Sequence, residues 1–426
     1  MSRSVSRRLV AVATAVGLVA LSACGSGFQD SSDPGSAQGG ASTGEVRMLV
    51  NITTNLTREF WREVVKPFED AHPGVTVKIE PGTPSVKEAL PRLLAAGDAP
   101  DVVETLSADK TLAPQMLDLS DQQWVKDTPL VDEAEVDGKT YSVGVGVQAQ
   151  NLVFYNKDAF AKAGVSKVPA TLDEFEIALG KLKDAGYLPL RTAGGGWVTG
   201  TQLTQLADAT VLGRNPAWYA DVQAKKTTPG QSYLPILERY KSWIDKGYLD
   251  KNALGLDEKT APAHFFQGKS AMYVMGSWFV ATADAGKPSF PVGAFAVPPA
   301  DGDTASAPMG VSVAMPYMIT NSTGKKELAI ELVKYLTTDK VAIQKQLRQD
   351  GNLRKGFTEG LSPLGAEVQG LLEAAPKQVP HPEGLGSTRL PAGFNTEWNK
   401  QVQGLYTGKS PADVAAGIDS WMASHR

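Results

Sequence analysis

Residues 95–103 of this 426-residue chain read AAGDAPDVV, a stretch in which a helix ends and a strand begins. Gly97 tolerates the left-handed backbone that commonly ends a helix, and Pro100 disfavours helical backbone in the residue before it. The apolar pair Val102 and Val103 then predicts a short buried strand with Glu104 at its carboxyl end. A helix followed at once by a buried strand is typical of an α/β fold.

The same alternation of strands and helices extends in both directions from this stretch. Ser85 and Glu88 form a capping-box pattern that opens the helix before Gly97, and Pro91 predicts a kink inside that helix. Further helices are predicted to begin after Thr57, Thr171 and Ser410. Predicted strands are 46–50, 75–79, 101–104, 151–155, 271–275, 292–297 and 311–319, the last interrupted by Pro316.

This pattern predicts an α/β body with a largely parallel sheet in each half. The body runs from about Gly44 to Arg426, which is too long for one typical hydrophobic core. The length therefore favours two domains.

The N-terminus has the pattern of an export signal. Arg3, Arg7 and Arg8 precede an uncharged apolar run of about a dozen residues, which is shorter than the roughly 20 residues that span a bilayer. The run ends in LSAC at 21–24, which resembles the lipobox of bacterial lipoproteins. We interpret 1–23 as a signal peptide, Cys24 as a lipidated residue, and the Gly- and Ser-rich segment 24–43 as a flexible tether.

Composition and motifs argue against several other functions. The formal net charge is −4, and removal of the signal peptide leaves 39 basic against 46 acidic residues, or about −7. No basic stripe with interleaved aromatic residues indicates a nucleic-acid partner. We see no nucleophile elbow and no phosphate-binding loop, and we predict neither a cofactor nor a metal. The histidines lack metal-ligand spacing: His72, His264, His381 and His425.

Seven motifs, in order, resemble those of the extracellular solute-binding proteins that serve ABC-type sugar importers, the maltose-binding-protein-like class. They are 68–75 (FEDAHPGV), 95–103 (AAGDAPDVV), 137–143 (DGKTYSV), 152–157 (LVFYNK), 266–272 (FQGKSAM), 276–278 (GSW) and 406–410 (YTGKS). The chain departs from the family pattern at Pro91 and at QAQ in 148–150.

The resemblance implies a two-lobed, type II periplasmic-binding-protein-like fold with a hinge. The expected lobes are 44–147 plus 310–374, and 148–309 plus 375–426. It also implies a monomeric, non-enzymatic lipoprotein on the outer face of the cytoplasmic membrane. Such a protein would close on a carbohydrate by hinge motion and deliver it to the permease subunits of an ABC importer.

Sugars present C–H faces to aromatic rings and hydroxyl groups to polar side chains, so both kinds of residue are candidates for the cleft. The resemblance places Trp278, Trp197 and Trp398 near the cleft, although core positions remain open for each. The polar candidates follow predicted strands or lie at the crossovers: Thr53, Thr54, Asn55, Glu104, Thr105, Gln148, Gln150, Asn151, Ser312, Arg354 and Asn395.

Other functions remain open at this point. The same fold could bind a peptide, a polyamine or a phosphorylated compound. A secreted glycoside hydrolase would need two cleft carboxylates about 5–10 Å apart. A structural lipoprotein is a further alternative.

Overall fold

The computed structural model describes residues 44–300, 308–381, 390–391 and 393–425. Cys24 and the proposed signal peptide and tether lie outside the described residues. Two α/β regions, each built around its own sheet, make up most of the described body. We name them the first and second lobes.

The first lobe contains a five-stranded sheet in the order β2-β1-β3-β13-β6. β1 is parallel to both β2 and β3, whereas β13 is antiparallel to β3 and β6. Its strands are β1 (Gly44–Val50), β2 (Val75–Pro81), β3 (Val102–Glu104), β6 (Ser142–Val143) and β13 (Tyr317–Ile319). A separate antiparallel pair joins β4 (Glu135–Val136) to β5 (Lys139–Thr140).

Helices of the first lobe bury their apolar faces against this sheet. They are α1 (Arg58–Ala71), α2 (Val86–Ala95), α10 (Lys326–Thr338) and α11 (Lys340–Gln349). Thr57 caps α1, and Trp61 and Phe68 on its inner face are fully buried in the core. The predicted helix after Thr57 is therefore confirmed.

The stretch 95–103 folds as its residues predict. Ser85 Oγ accepts from the Glu88 amide at 3.3 Å at the start of α2, and Gly97 adopts a φ of +69° just beyond its end. Asp101 then accepts a hydrogen bond from the Arg47 amide of β1 at 2.8 Å. The Arg47 guanidinium also pairs with Asp98 at 2.7 Å, so both acids of the stretch fasten β3 to β1.

The second lobe contains a four-stranded sheet in the order β11-β8-β10-β9. Its strands are β8 (Leu152–Asn156), β9 (Leu188–Arg191), β10 (Ser270–Met275) and β11 (Val292–Ala296). β8 is antiparallel to both β10 and β11, and only β9 and β10 pair in parallel among these four strands. The expectation of a largely parallel sheet in this half is wrong, because strand direction depends on the connections rather than on local apolar runs.

Helices pack on both faces of the second sheet. They are α3 (Lys157–Lys162), α4 (Leu172–Asp184), α5 (Val198–Arg214), α6 (Trp218–Gln223), α7 (Pro229–Asp245), α8 (Thr260–Phe266), α9 (Phe279–Gly286), α12 (Pro363–Ala374), α13 (Phe394–Gln403) and α14 (Pro411–Ser424). α12 packs against β11, although the expected partition counts its residues with the first lobe.

A three-stranded sheet, in the order β14-β12-β7, connects the lobes. β7 (Gly146–Ala149) leads from the first sheet into β8, and β12 (Met309–Ala314) leads from β11 back to β13. β14 (Gln378–Pro380) pairs with β12. A further crossing follows α11, where Leu353 bridges to Val147. Three stretches of chain, around Gln148, Ser312 and Asp350, therefore meet between the lobes.

Within the described ranges, no helix combines the length and apolar character needed to cross a bilayer.

Candidate functional site

Two adjoining cavities lie between the lobes, with volumes of about 560 Å³ and 450 Å³. The larger one faces α2 and β3 of the first lobe, and the smaller one faces β10 and α9 of the second lobe. They share five lining residues: Thr53, Gln148, Ser312, Asp350 and Asn395. Because they share these walls, we describe them together as the cleft.

One polar side chain from each crossing contributes to the floor of the cleft. Gln148 on β7 lies directly opposite Ser312 on β12, and the Ser312 hydroxyl donates to Gln148 Oε1 at 3.3 Å. Gln148 Nε2 points to the Asp350 carboxylate at 3.5 Å. Gln150 Nε2 donates to Ser312 Oγ at 2.9 Å, and Gln150 Oε1 accepts from Gln205 Nε2 of α5 at 2.8 Å. The floor is thus a continuous network of amide, hydroxyl and carboxylate groups.

Glu104 closes the first-lobe side of this floor at the end of β3. Its Oε2 accepts hydrogen bonds from the Asn51 amide at 3.1 Å and from Thr105 Oγ1 at 2.6 Å. Burial raises the pKa of Glu104 to about 8, and the nearby charge of Asp350 acts in the same direction. Thr105 itself has a φ of +87°, a strained backbone that turns the chain sharply after the strand.

Asp350 follows α11 and lines both cavities, and the sequence reasoning missed it. Asn55 Nδ2 donates to its carboxylate at 3.1 Å. Burial raises the pKa of Asp350 to about 6, and the hydrogen bonds from Asn55 and its other amide neighbours oppose that rise. The available signal was an Asp-Gly pair after a helix, which predicts a turn but does not say what the turn faces.

Two tryptophans form an aromatic wall on the second-lobe side. The ring centroids of Trp197 and Trp278 are 6.3 Å apart, with their planes inclined by 52°. Trp197 follows three glycines at the start of α5, is 41 % exposed, and donates its indole N–H to the Glu258 carboxylate. A Cβ atom on Gly276 would lie 2.0 Å from the ring of Trp278, so this glycine permits the ring to fold over the end of β10.

Most of the predicted site residues line the cleft. These are Thr53, Thr54, Asn55, Glu104, Thr105, Gln148, Gln150, Trp197, Trp278, Ser312 and Asn395.

The remaining three have structural partners and do not line the cleft. Asn151 holds the Gly310 amide at 3.0 Å and donates to the Gln205 carbonyl at 2.8 Å. Arg354 donates to the carbonyls of Val145 and Thr337, both at 3.0 Å. Trp398 is fully buried and donates to Thr204 Oγ1 at 2.9 Å, so it occupies the core position that had remained open.

Several lining residues were not predicted from the sequence. In the larger cavity they include Asn51, Lys87 and Asp109. In the smaller cavity they include Glu258, Lys259, Tyr273, His381 and Asn399. Tyr273 lies in β10 and Asn51 directly follows β1, whereas the other six lie on helices or loops whose local sequence does not indicate that they face a cleft. No group of three or more His, Cys, Asp or Glu residues in the described chain is placed to hold a metal ion.

The chain belongs to the family of bacterial extracellular solute-binding proteins, whose family model matches residues 53–343. It is 27 % identical to the diacetylchitobiose binding protein DasA of Streptomyces coelicolor, over 97 % of each chain. It is also 27 % identical to the multiple sugar-binding protein of Streptococcus mutans, over 68 % of this chain and 70 % of the relative.

The fold is that of a two-lobed, type II solute-binding protein. The structure of a chitin oligosaccharide binding protein matches with a TM-score of 0.78 and 23 % identity, over 90 % of this chain and 99 % of the other. This agreement confirms the fold predicted from the sequence. As a member of its family, the chain is an exported protein.

Proposed function

We propose that this protein captures an oligosaccharide in the cleft and delivers it to the permease of an ABC importer. The observation that carries the proposal is the tryptophan wall, Trp197 and Trp278, standing beside the polar floor of Gln148, Ser312 and Asp350. Aromatic faces remove the C–H surface of a sugar from water, while amides and carboxylates replace the water bound to its hydroxyls.

The size and composition of the cleft support this assignment. Both cavities lie within the roughly 300–1,000 Å³ that small-molecule sites occupy. The relatives named above bind carbohydrates according to their names, and one of them matches almost the whole chain. Two partly open, adjoining cavities suit a ligand of more than one ring.

Capture would proceed by closure of the lobes around the three crossings. A ligand that touches Trp278 on one lobe and Glu104 on the other binds the closed form more tightly than the open form. That difference in affinity shifts the population towards closure, as in the hinge motion of periplasmic binding proteins. The permease would then recognise the closed arrangement. No catalytic step is part of this cycle.

We also propose that lipidated Cys24 holds the protein on the outer face of the membrane as a monomer. The support is the sequence pattern before Cys24, since stable anchoring needs more than one acyl chain and lipoprotein maturation supplies them. Expression of the Cys24→Ala variant in the native host tests the anchor. We expect the variant in the culture medium and the native protein in the membrane fraction. Equal amounts of the variant and the native protein in the membrane fraction would contradict the proposed anchor.

The test of sugar capture uses the body from residue 44 onward, purified without ligand. We would record the melting temperature and the tryptophan fluorescence against a panel of mono- and oligosaccharides. A saturable fluorescence change, with a rise of several degrees in melting temperature, is the expected result for at least one oligosaccharide. A flat response to all sugars would contradict the proposal.

A second candidate ligand is a polyamine, which the acidic lining of the cleft favours. Glu104, Asp109, Glu258 and Asp350 line the cavities, against Lys87 and Lys259. The same panel therefore includes putrescine and spermidine. A melting shift with these amines and none with sugars would assign the site to a cation instead. An aryl glycoside added to the panel would reveal the hydrolase alternative by its release of the coloured product.

A further inference from the structure

Glu104 uses only one of its two carboxyl oxygens within the protein. The residue is 1 % exposed and lines the larger cavity. Oε2 accepts both hydrogen bonds, from the Asn51 amide at 3.1 Å and from Thr105 Oγ1 at 2.6 Å. Among the described residues, none forms a hydrogen bond with Oε1. One polar atom of a nearly buried side chain is thus left for a group that enters the cavity.

The charges around Glu104 disfavour its ionised form. Among the described residues, no Lys or Arg contributes to the pKa of Glu104 through an ion pair or a hydrogen bond. Asp350, from the crossing after α11, repels it, and Tyr317 of β13 is a buried phenol whose pKa Glu104 helps to raise. Lys87 of α2 and Asp109 line the same cavity, and the Asp109 carboxylate already accepts from the Leu112 amide at 2.7 Å. A buried carboxylate without a cation is costly, whereas the neutral acid is not.

We propose that Glu104 is a neutral hydrogen-bond donor in the binding site, whose Oε1–H donates to an uncharged acceptor oxygen of the bound carbohydrate. The proton belongs on Oε1 because Oε2 already accepts from two donors. This inference rests on the proposed function and deepens it, since it limits the ligand to neutral sugars. An ammonium group would need the opposite: an ionised carboxylate at this position.

The donor role of Glu104 predicts that sugar affinity falls as the pH rises through the pKa of this acid. Burial raises the pKa of Glu104 to about 8, so the acid carries its proton at neutral pH and loses it above pH 8. The ionised form cannot donate, and its charge repels the lone pairs of a sugar oxygen. Asp350, with a pKa of about 6, is already ionised through most of that range, so the loss above pH 8 belongs to Glu104.

The decisive variant is Glu104→Gln, which keeps the shape and removes the titration. Its amide oxygen can accept from Asn51 and Thr105 while its amide N–H₂ points into the cavity as a donor. We would measure the Kd of the native protein and of the variant by calorimetry, with an oligosaccharide from the panel, between about pH 7 and about pH 9.5. Asp350→Asn is the matched control for the loss of a neighbouring cleft carboxylate.

We expect the Kd of Glu104→Gln to show no weakening between about pH 7 and about pH 9.5, because its amide does not titrate. The native protein should bind about tenfold more weakly at one pH unit above the pKa. Asp350→Asn should retain the weakening at high pH. A Glu104→Gln variant that melts like the native protein but binds more than tenfold more weakly at pH 7 would overturn the proposal, because it would show that a carboxylate acceptor is required.

A ligand-free measurement separates this inference from the proposed function. The carboxyl carbon of Glu104, assigned by its absence in Glu104→Gln, can be titrated by ¹³C NMR. A midpoint near pH 8 is expected, and a midpoint near the ordinary value of about 4.5 would overturn the donor role whatever the ligand is. If the midpoint lies near 8 and only amines bind, the sugar assignment and the donor role both fail, while the neutral acid in the free protein stands.

Discussion

The carbonyl oxygen of Ser277 lies 2.4 Å from the point that a Cβ atom on Gly351 would occupy. Gly351 belongs to the crossing after α11 and has a φ of +57°, whereas Ser277 belongs to the loop that follows β10 in the second lobe. The same Cβ atom would lie 3.2 Å from Cα of Trp278. The absence of a side chain at Gly351 therefore lets the Asp350 turn pack directly against the loop that carries the aromatic wall.

We predict that Gly351→Ala weakens oligosaccharide binding by about tenfold or more and lowers the melting temperature. The added methyl group must displace either Trp278 or Asp350, both of which line the cleft. Gly97→Ala is the matched control, because Gly97 has a φ of +69° but no atom within 4 Å of its Cβ position. That control carries the same left-handed strain, of about 1 kcal/mol, without the contact. Equal Kd values for the two variants would contradict the prediction.

Removal of the Trp278 ring should weaken sugar binding by about 10- to 100-fold. The reason is the loss of a stacked apolar face, including the aromatic contribution of about 0.5–1.5 kcal/mol beyond the area buried. The measurement is a calorimetric titration of Trp278→Ala beside Trp421→Ala, whose ring stacks on His425 near the C-terminus with centroids 4.2 Å apart. Similar losses in both variants would mean that the effect is not local to the cleft.

The stability of the native protein should fall as pH rises through the pKa of Glu104. This pKa is about 8 in the folded protein and 4.5 in the unfolded chain, so the folded state holds the extra proton between these values. The contribution is fully present below about pH 4.5 and is lost by about pH 8, at a cost of up to about 5 kcal/mol. Urea unfolding of Glu104→Gln and native protein at several pH values measures it. A constant difference between the two would contradict the prediction.

Arg354 should matter for stability and not for ligand affinity. Its guanidinium donates to the carbonyls of Val145, Thr337 and Asp127, which joins three segments of the first lobe. Arg354→Met should lower the free energy of unfolding by about 1–3 kcal/mol, since buried carbonyls lose their donors. Arg348→Met is the control, because Arg348 donates to the exposed Glu359 carbonyl. A fall in affinity greater than about threefold for Arg354→Met alone would instead place this residue in the binding machinery.

Local sequence was sufficient to predict the strands β1, β2 and β3 and the helices α1 and α2 between them. Gly97 and Pro100 end the helix through their own backbone preferences, and the β-branched pair Val102 and Val103 favours a buried strand. The antiparallel direction of β8 relative to β10 could not be predicted from local sequence. It depends on which strand ends the intervening helices and loops connect. Periodicity along the chain contains no information about strand direction, so β8, β10 and β11 were predicted as strands but their antiparallel pairing was not.

The candidate site likewise contains residues that local sequence could predict and residues that it could not. Glu104 and Thr105 could be placed in the cleft because polar residues after a buried strand lie at the edge of a sheet. Asp350 could not, because it follows a helix and reaches the cleft only through the meeting of three crossings. Trp398 was a candidate cleft residue but is buried in the core. The local sequence around a tryptophan does not distinguish a ring that stacks on a ligand from a ring that fills a core.

A distance measured across the cleft tests the central claim most directly. The body from residue 44 contains no cysteine, so Lys110→Cys in the first lobe and Ala285→Cys in the second can carry a spin-label pair. Lys66→Cys with Lys110→Cys, both in the first lobe, is the matched control pair. Pulsed electron paramagnetic resonance would then give each distance with and without saturating oligosaccharide. We predict that the interlobe distance shortens by several ångströms while the control distance stays constant. An interlobe distance that does not change when the sugar is bound would contradict capture by closure of the two lobes.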